Sequence, residues 1–141
     1  MPLGNLTSQF FANLYLNDLD YFVKHILKVR YYIRYVDDFV ILHQSRQQLQ
    51  EWKKLIESFL KEKLAIGLHP QKSRIIPLGK GIDFVGFRNF YHYLLLRKRN
   101  IASMERKIFA YKKGKIDFST IFDSYQGWQA HARWANTYKL R

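Results

Sequence analysis

Hydrophobic positions follow two kinds of repeat along this chain, and the switch between them marks its organisation. Thr7 or Ser8 can cap a helix. After them Phe10, Phe11, Leu14, Tyr15, Leu19, Phe22, Val23 and Ile26 recur at helical spacing, which predicts one helix with a broad buried face. From Val29 the period falls to two. Val29, Tyr31, Ile33 and Tyr35 alternate with Arg30, Tyr32 and Arg34, the pattern of a half-buried strand. Val36-Asp37-Asp38 interrupts the run, and Phe39-Val40-Ile41-Leu42 reads as a second, more buried strand. Two strands so close in sequence form a hairpin in the simplest reading.

Helical spacing returns over Arg46–Leu64, with Leu49, Trp52, Leu55, Ile56, Phe59, Leu60 and Leu64 on the inner face and Gly67 as a stop signal. Short strands are predicted at Ser73–Pro77 and Ile82–Phe87, with a turn at Gly79-Lys80-Gly81 between them, and another at Tyr91–Leu96. Two helices follow, Ile101–Lys113 and about Phe118–Tyr138. A boundary is expected near residues 97–100, where strands give way to helices. The expected fold is α+β, an antiparallel sheet with the two long helices on one face, followed by a helical segment.

Composition adds a partner class. Hydrophobic residues are 48% of the chain and aromatics 17%, enough for a packed core and unlike a disordered chain. Against 11 acidic residues stand 24 Lys and Arg, a net charge of +13 that suits a polyanion, although a basic surface can also serve only solubility. The absence of cysteine excludes disulfides and thiolate metal sites, and it is compatible with the cytoplasm. No apolar run approaches the ~18 residues of a membrane span, so no membrane partner is expected. The three tryptophans, Trp52, Trp128 and Trp134, sit among apolar groups at helical spacing and read as core. The five histidines show no metal-ligand spacing.

Chemistry concentrates at Asp37-Asp38. Adjacent carboxylates ~4 Å apart repel by about 4 kcal/mol at an effective dielectric of 20. A divalent cation reverses that sign, and Mg²⁺ favours hard oxygen ligands. The same pair can equally be a solvated hairpin turn. Asp18 and Asp20 on the first helix read as its solvated face.

The surroundings of the pair resemble a known family. Tyr35-Val36-Asp37-Asp38 between two apolar strands resembles the YxDD hairpin of reverse transcriptases. Pro2-Leu3-Gly4-Asn5-Leu6-Thr7-Ser8-Gln9 is similar to the loop-to-helix motif beneath nucleotide and template. Leu68-His69-Pro70-Gln71-Lys72-Ser73 is similar to the family's lysine-bearing motif, and Gly81-Ile82-Asp83-Phe84-Val85-Gly86-Phe87 to its primer-grip hairpin. Ser124-Tyr125-Gln126-Gly127-Trp128 with His131-Ala132 resembles the thumb helix of bacterial members. The five motifs stand in the family's order over nearly the whole chain.

The resemblance implies RNA-directed DNA synthesis by a palm over residues 1–96 and a helical thumb from 97 to 141. It implies two Mg²⁺ ions with Asp37 and Asp38 as ligands and catalytic residues, and Lys72 at the leaving pyrophosphate, where an exposed loop lysine is the plainer reading. Gly4, Asn5, Ser8, Gln9 and Tyr35 would touch nucleotide or template, although Asn5 can simply form a turn and Ser8 simply cap a helix. Asp83, Phe84, Val85 and Gly86 would grip the primer, and Arg97, Lys98 and Arg99 would track duplex phosphates. The implied partners are an RNA template, a DNA primer and deoxynucleoside triphosphates. The family often works with a small accessory protein, but no residue here identifies that contact.

Two departures matter. Most bacterial members, including retron and group II intron types, carry Gln-Gly at the start of the loop and Ser-Pro near its end. Here Leu3-Gly4-Asn5 and Ser8-Gln9 are similar instead to reverse transcriptases of diversity-generating retroelements, with the retron or group II intron type as the alternative. The family also uses a further aspartate on an earlier strand, so the chain is expected to be a fragment that does not polymerise alone. A rival reading of another class is a non-catalytic basic nucleic-acid-binding module.

Overall fold

The computed structural model describes residues 6–137. The chain divides into two compact units, Met1–Ile75 and Ile76–Arg141, both mixing helices with short antiparallel strands. The fold is α+β, as expected.

In the first unit α1 (Leu6–Tyr15) and α2 (Asn17–Tyr21) are followed by a π-helical turn, Phe22–Ile26. The single helix predicted here is therefore broken. Leu16 sits at φ −86° and ψ 0°, in the bridge region of backbone space, which turns the apolar stripe. Past it the Leu27 amide bonds the Phe22 carbonyl at 2.9 Å, five residues back, adding a residue to that turn. Leu16, Leu19 and Val23 reach the core, whereas Phe10, Phe11, Leu14 and Ile26, expected inside, are exposed.

The strands β1 (Tyr31–Tyr35) and β2 (Asp38–Leu42) pair antiparallel, with Tyr31 opposite Leu42 and Tyr35 opposite Asp38. Helix α3 (Arg46–Leu64) begins where predicted because Ser45 accepts the Gln48 amide through its hydroxyl at 3.2 Å. It ends on Ala65 in the left-handed conformation, φ 49°, before the expected stop at Gly67. Ile56, Leu60 and Leu64 of α3 meet Leu19, Val23 and Val29 in the core, and Phe22 stacks on Phe59 at 4.2 Å. Leu55, expected inside, is exposed. The Tyr15 hydroxyl donates to the Leu64 carbonyl, partnering an acceptor that the helix end leaves free. No strand forms over 73–77; the Lys53 ammonium instead clips this loop to α3 by donating to the Ser73 carbonyl at 2.6 Å.

In the second unit β3 (Ile82–Phe84), β4 (Phe87–Asn89) and β5 (Leu94–Leu96) form an antiparallel meander. The strand predicted over Ile82–Phe87 is two strands, because Val85 and Gly86 both have positive φ, 48° and 83°, which turns the chain back. The residues predicted as a turn at 79–81 lie instead in and beside a 3₁₀ turn, Leu78–Lys80. Helices α4 (Lys98–Lys112) and α5 (Phe118–Ala132) complete the unit. Its buried residues Leu96, Ala132 and Ala135 pack with Phe87, Leu94, Ile101 and Trp128. Beyond α5, Asn136 meets the edge of β5 as a strand would: its amide donates to the Leu94 carbonyl, and its side-chain oxygen accepts the Leu94 amide. That turn of the chain leaves Trp134 77% exposed rather than in the core. The boundary expected near residue 97 falls within this unit, where strands and helices share one core.

Candidate active site

The first-unit hairpin presents its two faces in the opposite sense to the one its alternation suggests. Tyr32, Arg34, Phe39 and Ile41 are half-buried, and Tyr32, Phe39 and Ile41 pack against the core. Tyr31, Ile33 and Tyr35 are exposed, at 55%, 57% and 59%. The pairing register agrees, since Tyr32 opposes Ile41 and Arg34 opposes Phe39 on the inner face.

A charge can face inward because it has a partner there. The Arg34 guanidinium donates to both carboxylate oxygens of Asp20, at 2.8 and 2.5 Å, and the Tyr32 hydroxyl donates to the same carboxylate at 2.6 Å. Burial pushes the Asp20 carboxyl up, but the bonds from Arg34 and Tyr32 and the Arg34 charge outweigh it, and the group is held below its ordinary value. Burial, then the Asp20 bond and charge, push the Tyr32 phenol well above its ordinary value. The bond to Asp20 leads a rise at Arg34. Asp20 is thus a structural ion-pair partner rather than part of a solvated face.

The corner between the strands is a two-residue turn, Val36-Asp37, with Val36 at φ 54°. Asp37 and Asp38 are both exposed. Asp38 shares the outer face with its cross-strand partner Tyr35. Among the described residues no group of three or more His, Asp or Glu side chains gathers as a metal site, so the carboxylates stand as a pair. Carboxylate oxygens of this kind suit a hard cation.

The remaining predicted residues fall in several places. Gly4 and Asn5 lie outside the described residues, as do the side chains of Ser8 and Gln9, whose backbone is in α1. Lys72 is exposed, in a turn where the amides of Lys72 and Ser73 bond the His69 carbonyl. In the second unit Phe84, Val85, Gly86 and Phe87 form the tip of β3–β4. Asn100 of α4 donates to the Gly86 carbonyl at 3.2 Å. His131 of α5 stacks on Phe87 at 4.4 Å and stands so close to Gly86 that a Cβ there would meet its Nε2 at 3.0 Å. Asp83 pairs with Arg97 at 3.3 Å, whereas Lys98 and Arg99 are exposed.

A family model described as reverse transcriptase (RNA-dependent DNA polymerase) matches residues 1–89, which take in the first unit and the β3–β4 hairpin. The chain belongs to the reverse transcriptase family. Its mixed α+β architecture is consistent with the palm of that family. No curated protein matches the chain. No helix among the described residues is long and apolar enough to cross a membrane.

Sequence reasoning missed the roles of Arg34, Asp20 and Asn100, and gave His131 only as part of the thumb-helix motif. No local signal marked the first two, since Arg34 falls on the polar side of the alternation and its partner Asp20 lies on another element.

Proposed function

We propose that the chain supplies the carboxylate pair of an RNA-directed DNA polymerase, with Asp37 and Asp38 as Mg²⁺ ligands and Tyr35 beside the incoming nucleotide. The corner itself carries this reading: two exposed carboxylates on a short turn, anchored by a paired ribbon. When bound, two Mg²⁺ ions activate the primer hydroxyl and stabilise the leaving pyrophosphate. The apolar outer face of Tyr31, Ile33 and Tyr35 offers flat surface on which bases or sugars can rest.

Around this centre we assign Gly4, Asn5, Ser8 and Gln9 to nucleotide and template, and Lys72 to the pyrophosphate. Residues 1–96 form the palm and the helices after residue 97 the thumb. The β3–β4 tip, Asp83 to Gly86, grips the primer. Lys98 and Arg99 track duplex phosphates, and Arg97 ties that helix start to the grip through Asp83. Of the 24 Lys and Arg residues, 13 lie in residues 76–141 against four acidic residues, which favours the second unit as the duplex-binding part. The loop Leu3-Gly4-Asn5 and the pair Ser8-Gln9 favour the diversity-generating retroelement type over retron or group II intron types. The enzyme acts in the cytoplasm on an RNA template, a DNA primer and deoxynucleoside triphosphates, with a small accessory protein as a further partner.

Mg²⁺ prefers six oxygens in an octahedron, and two adjacent aspartates offer too few to hold two ions. A third acidic group is required, and the 141-residue chain alone does not polymerise. The test is nucleotide incorporation on a primed RNA template, with and without a fused segment carrying the family's further aspartate. Incorporation is expected only in the fusion and is lost in its Asp37→Asn variant. Incorporation by the chain alone, abolished by the same substitution, overturns the need for a third group. The basic second unit also favours a second reading, a non-catalytic duplex-binding module. Such a module holds duplex equally with and without chelator, and the fusion then stays inactive.

A further inference from the structure

We propose that Arg34 is a positioning residue for the Asp37–Asp38 corner, acting through the backbone carbonyl of Val36. The proposal rests on the reading of these aspartates as metal ligands. Val36 is β-branched and sits at φ 54°, a conformation in which valine is an outlier and which is strained for an L-residue. A strained corner persists only where its surroundings over-determine it.

The surroundings here converge on one side chain. Arg34 Nη1 donates to the Val36 carbonyl at 2.6 Å and to Asn13 Oδ1 at 3.0 Å. Its Nε and Nη2 hold the two oxygens of Asp20, at 2.8 and 2.5 Å. One planar fork therefore ties α1, α2 and the corner together, and Arg34 is only 10% exposed at the side chain. Fixing the Val36 carbonyl fixes the peptide plane that leads into Asp37, and with it the direction in which the carboxylates leave the ribbon. A lysine cannot do the same, because an ammonium is a point charge without the rigid fork. Arg34 touches no reacting atom. Its role is that of an outer support which orients ligands, and loss of such a support weakens metal affinity about 10–100-fold.

The test uses the full isotopically labelled chain and Mn²⁺ alone as probe. Two quantities are read: the Val36 Cα and Cβ chemical shifts, which report the left-handed corner, and the Mn²⁺ concentration that half-broadens the amides of residues 36–38. In Arg34→Met the left-handed signature is expected to fade and the Mn²⁺ concentration to rise about tenfold, with the Leu19 and Ile56 methyl signals unchanged. Adding Val36→Gly, which removes the left-handed penalty, is expected to bring the Mn²⁺ response back to within about twofold of the original. A merely structural role predicts no such rescue. If Arg34→Met loses its core signals, Arg34→Lys keeps the charge and stem and is expected to show the same loss at the corner with an intact core. Unchanged Val36 shifts and Mn²⁺ response in the variant that folds overturn the proposal, as does a failure of Val36→Gly to rescue. Absence of any Mn²⁺ response both in the unsubstituted chain and in the fusion that carries the further acidic group overturns the metal-ligand reading instead, and the Val36 shifts still decide whether Arg34 sets the corner.

Discussion

The tips of β1–β2 and β3–β4 are both two-residue turns that open on a valine at positive φ, 54° at Val36 and 48° at Val85. Each places a β-branched residue where glycine or asparagine would be unstrained, and each is held by a side chain: Arg34 of β1, itself anchored on helices α1 and α2, at the first, and Asn100 and His131 of helices α4 and α5 at the second. The holding differs in kind. At the first tip a half-buried guanidinium bridges a carboxylate and a backbone carbonyl. At the second, a neutral amide from Asn100 and the ring of His131 press on Gly86. A charged brace is strong only while its counter-charge remains, because an unpaired buried charge is costly. A neutral brace gives less but fails more gently. The tip that carries the two carboxylates is the one fixed by charge.

The largest expected effect breaks the charged brace. Asp20→Ala leaves Arg34 without its counter-ion and should cost the first unit about 2–3 kcal/mol, just below the range for a fully buried pair because Asp20 is partly open to solvent. Hydrogen exchange at residues 31–42 measures this, while the amides of Val85 and Gly86 should stay unaffected. The same pair has a pH signature. The folded Asp20 carboxyl is held below its ordinary value of 3.8, so the folded state binds this proton less readily than the unfolded one. Its stabilisation is complete above that value and drains away as pH falls through the folded one. In Asp20→Asn the acid limb of a stability profile below about pH 4 should flatten.

The neutral brace should respond less. Gly86→Ala meets both the φ of 83° and the His131 ring, and about 1.5 kcal/mol should be lost from the second unit. Adding His131→Ala should recover the steric part and leave the conformational part. Asn100→Ala removes one bond to the Gly86 carbonyl and should cost about 1 kcal/mol by denaturant unfolding. The smallest effect has the opposite sign. Val85→Asn puts a residue that tolerates the left-handed region at the second tip and should stabilise that hairpin by about 0.5 kcal/mol. A destabilised Val85→Asn would mean that the valine side chain packs for more than its backbone costs.

What the sequence revealed depended on whether a signal was local. Helix α3 was readable to its first and last residues because its apolar spacing runs unbroken over Arg46–Leu64. The hairpin was readable from its alternation, and the carboxylates from their place between two apolar runs. The facing of β1 was not, because it is decided by Asp20, fourteen positions before Arg34 and on another element. The turn at Val85-Gly86 hid from periodicity inside an apolar run, since valine is a strand former; only Gly86 and the resemblance to a primer-grip hairpin pointed to it. Trp134 looked like core because its exposure follows from Asn136 bonding to β5, a contact across 42 positions.

The π-helical turn at Phe22–Ile26 has a consequence for length changes. It accommodates one residue more than an α-helical turn, and successive helical residues are ~100° apart around the axis. Deleting one residue of this segment is expected to restore regular α-helical winding while the turns on either side keep their angular register. Leu16, Leu19 and Asp20 would keep their facing, so a single deletion here would leave the carboxylate corner joined to its support, whereas one inside α2 would turn Leu16 by ~100° away from the core. A deletion of the same size at Lys113-Gly114-Lys115, in the exposed link between α4 and α5, shifts no such stripe. Along this chain the tolerance for lost residues is therefore set by where a surplus residue is already stored.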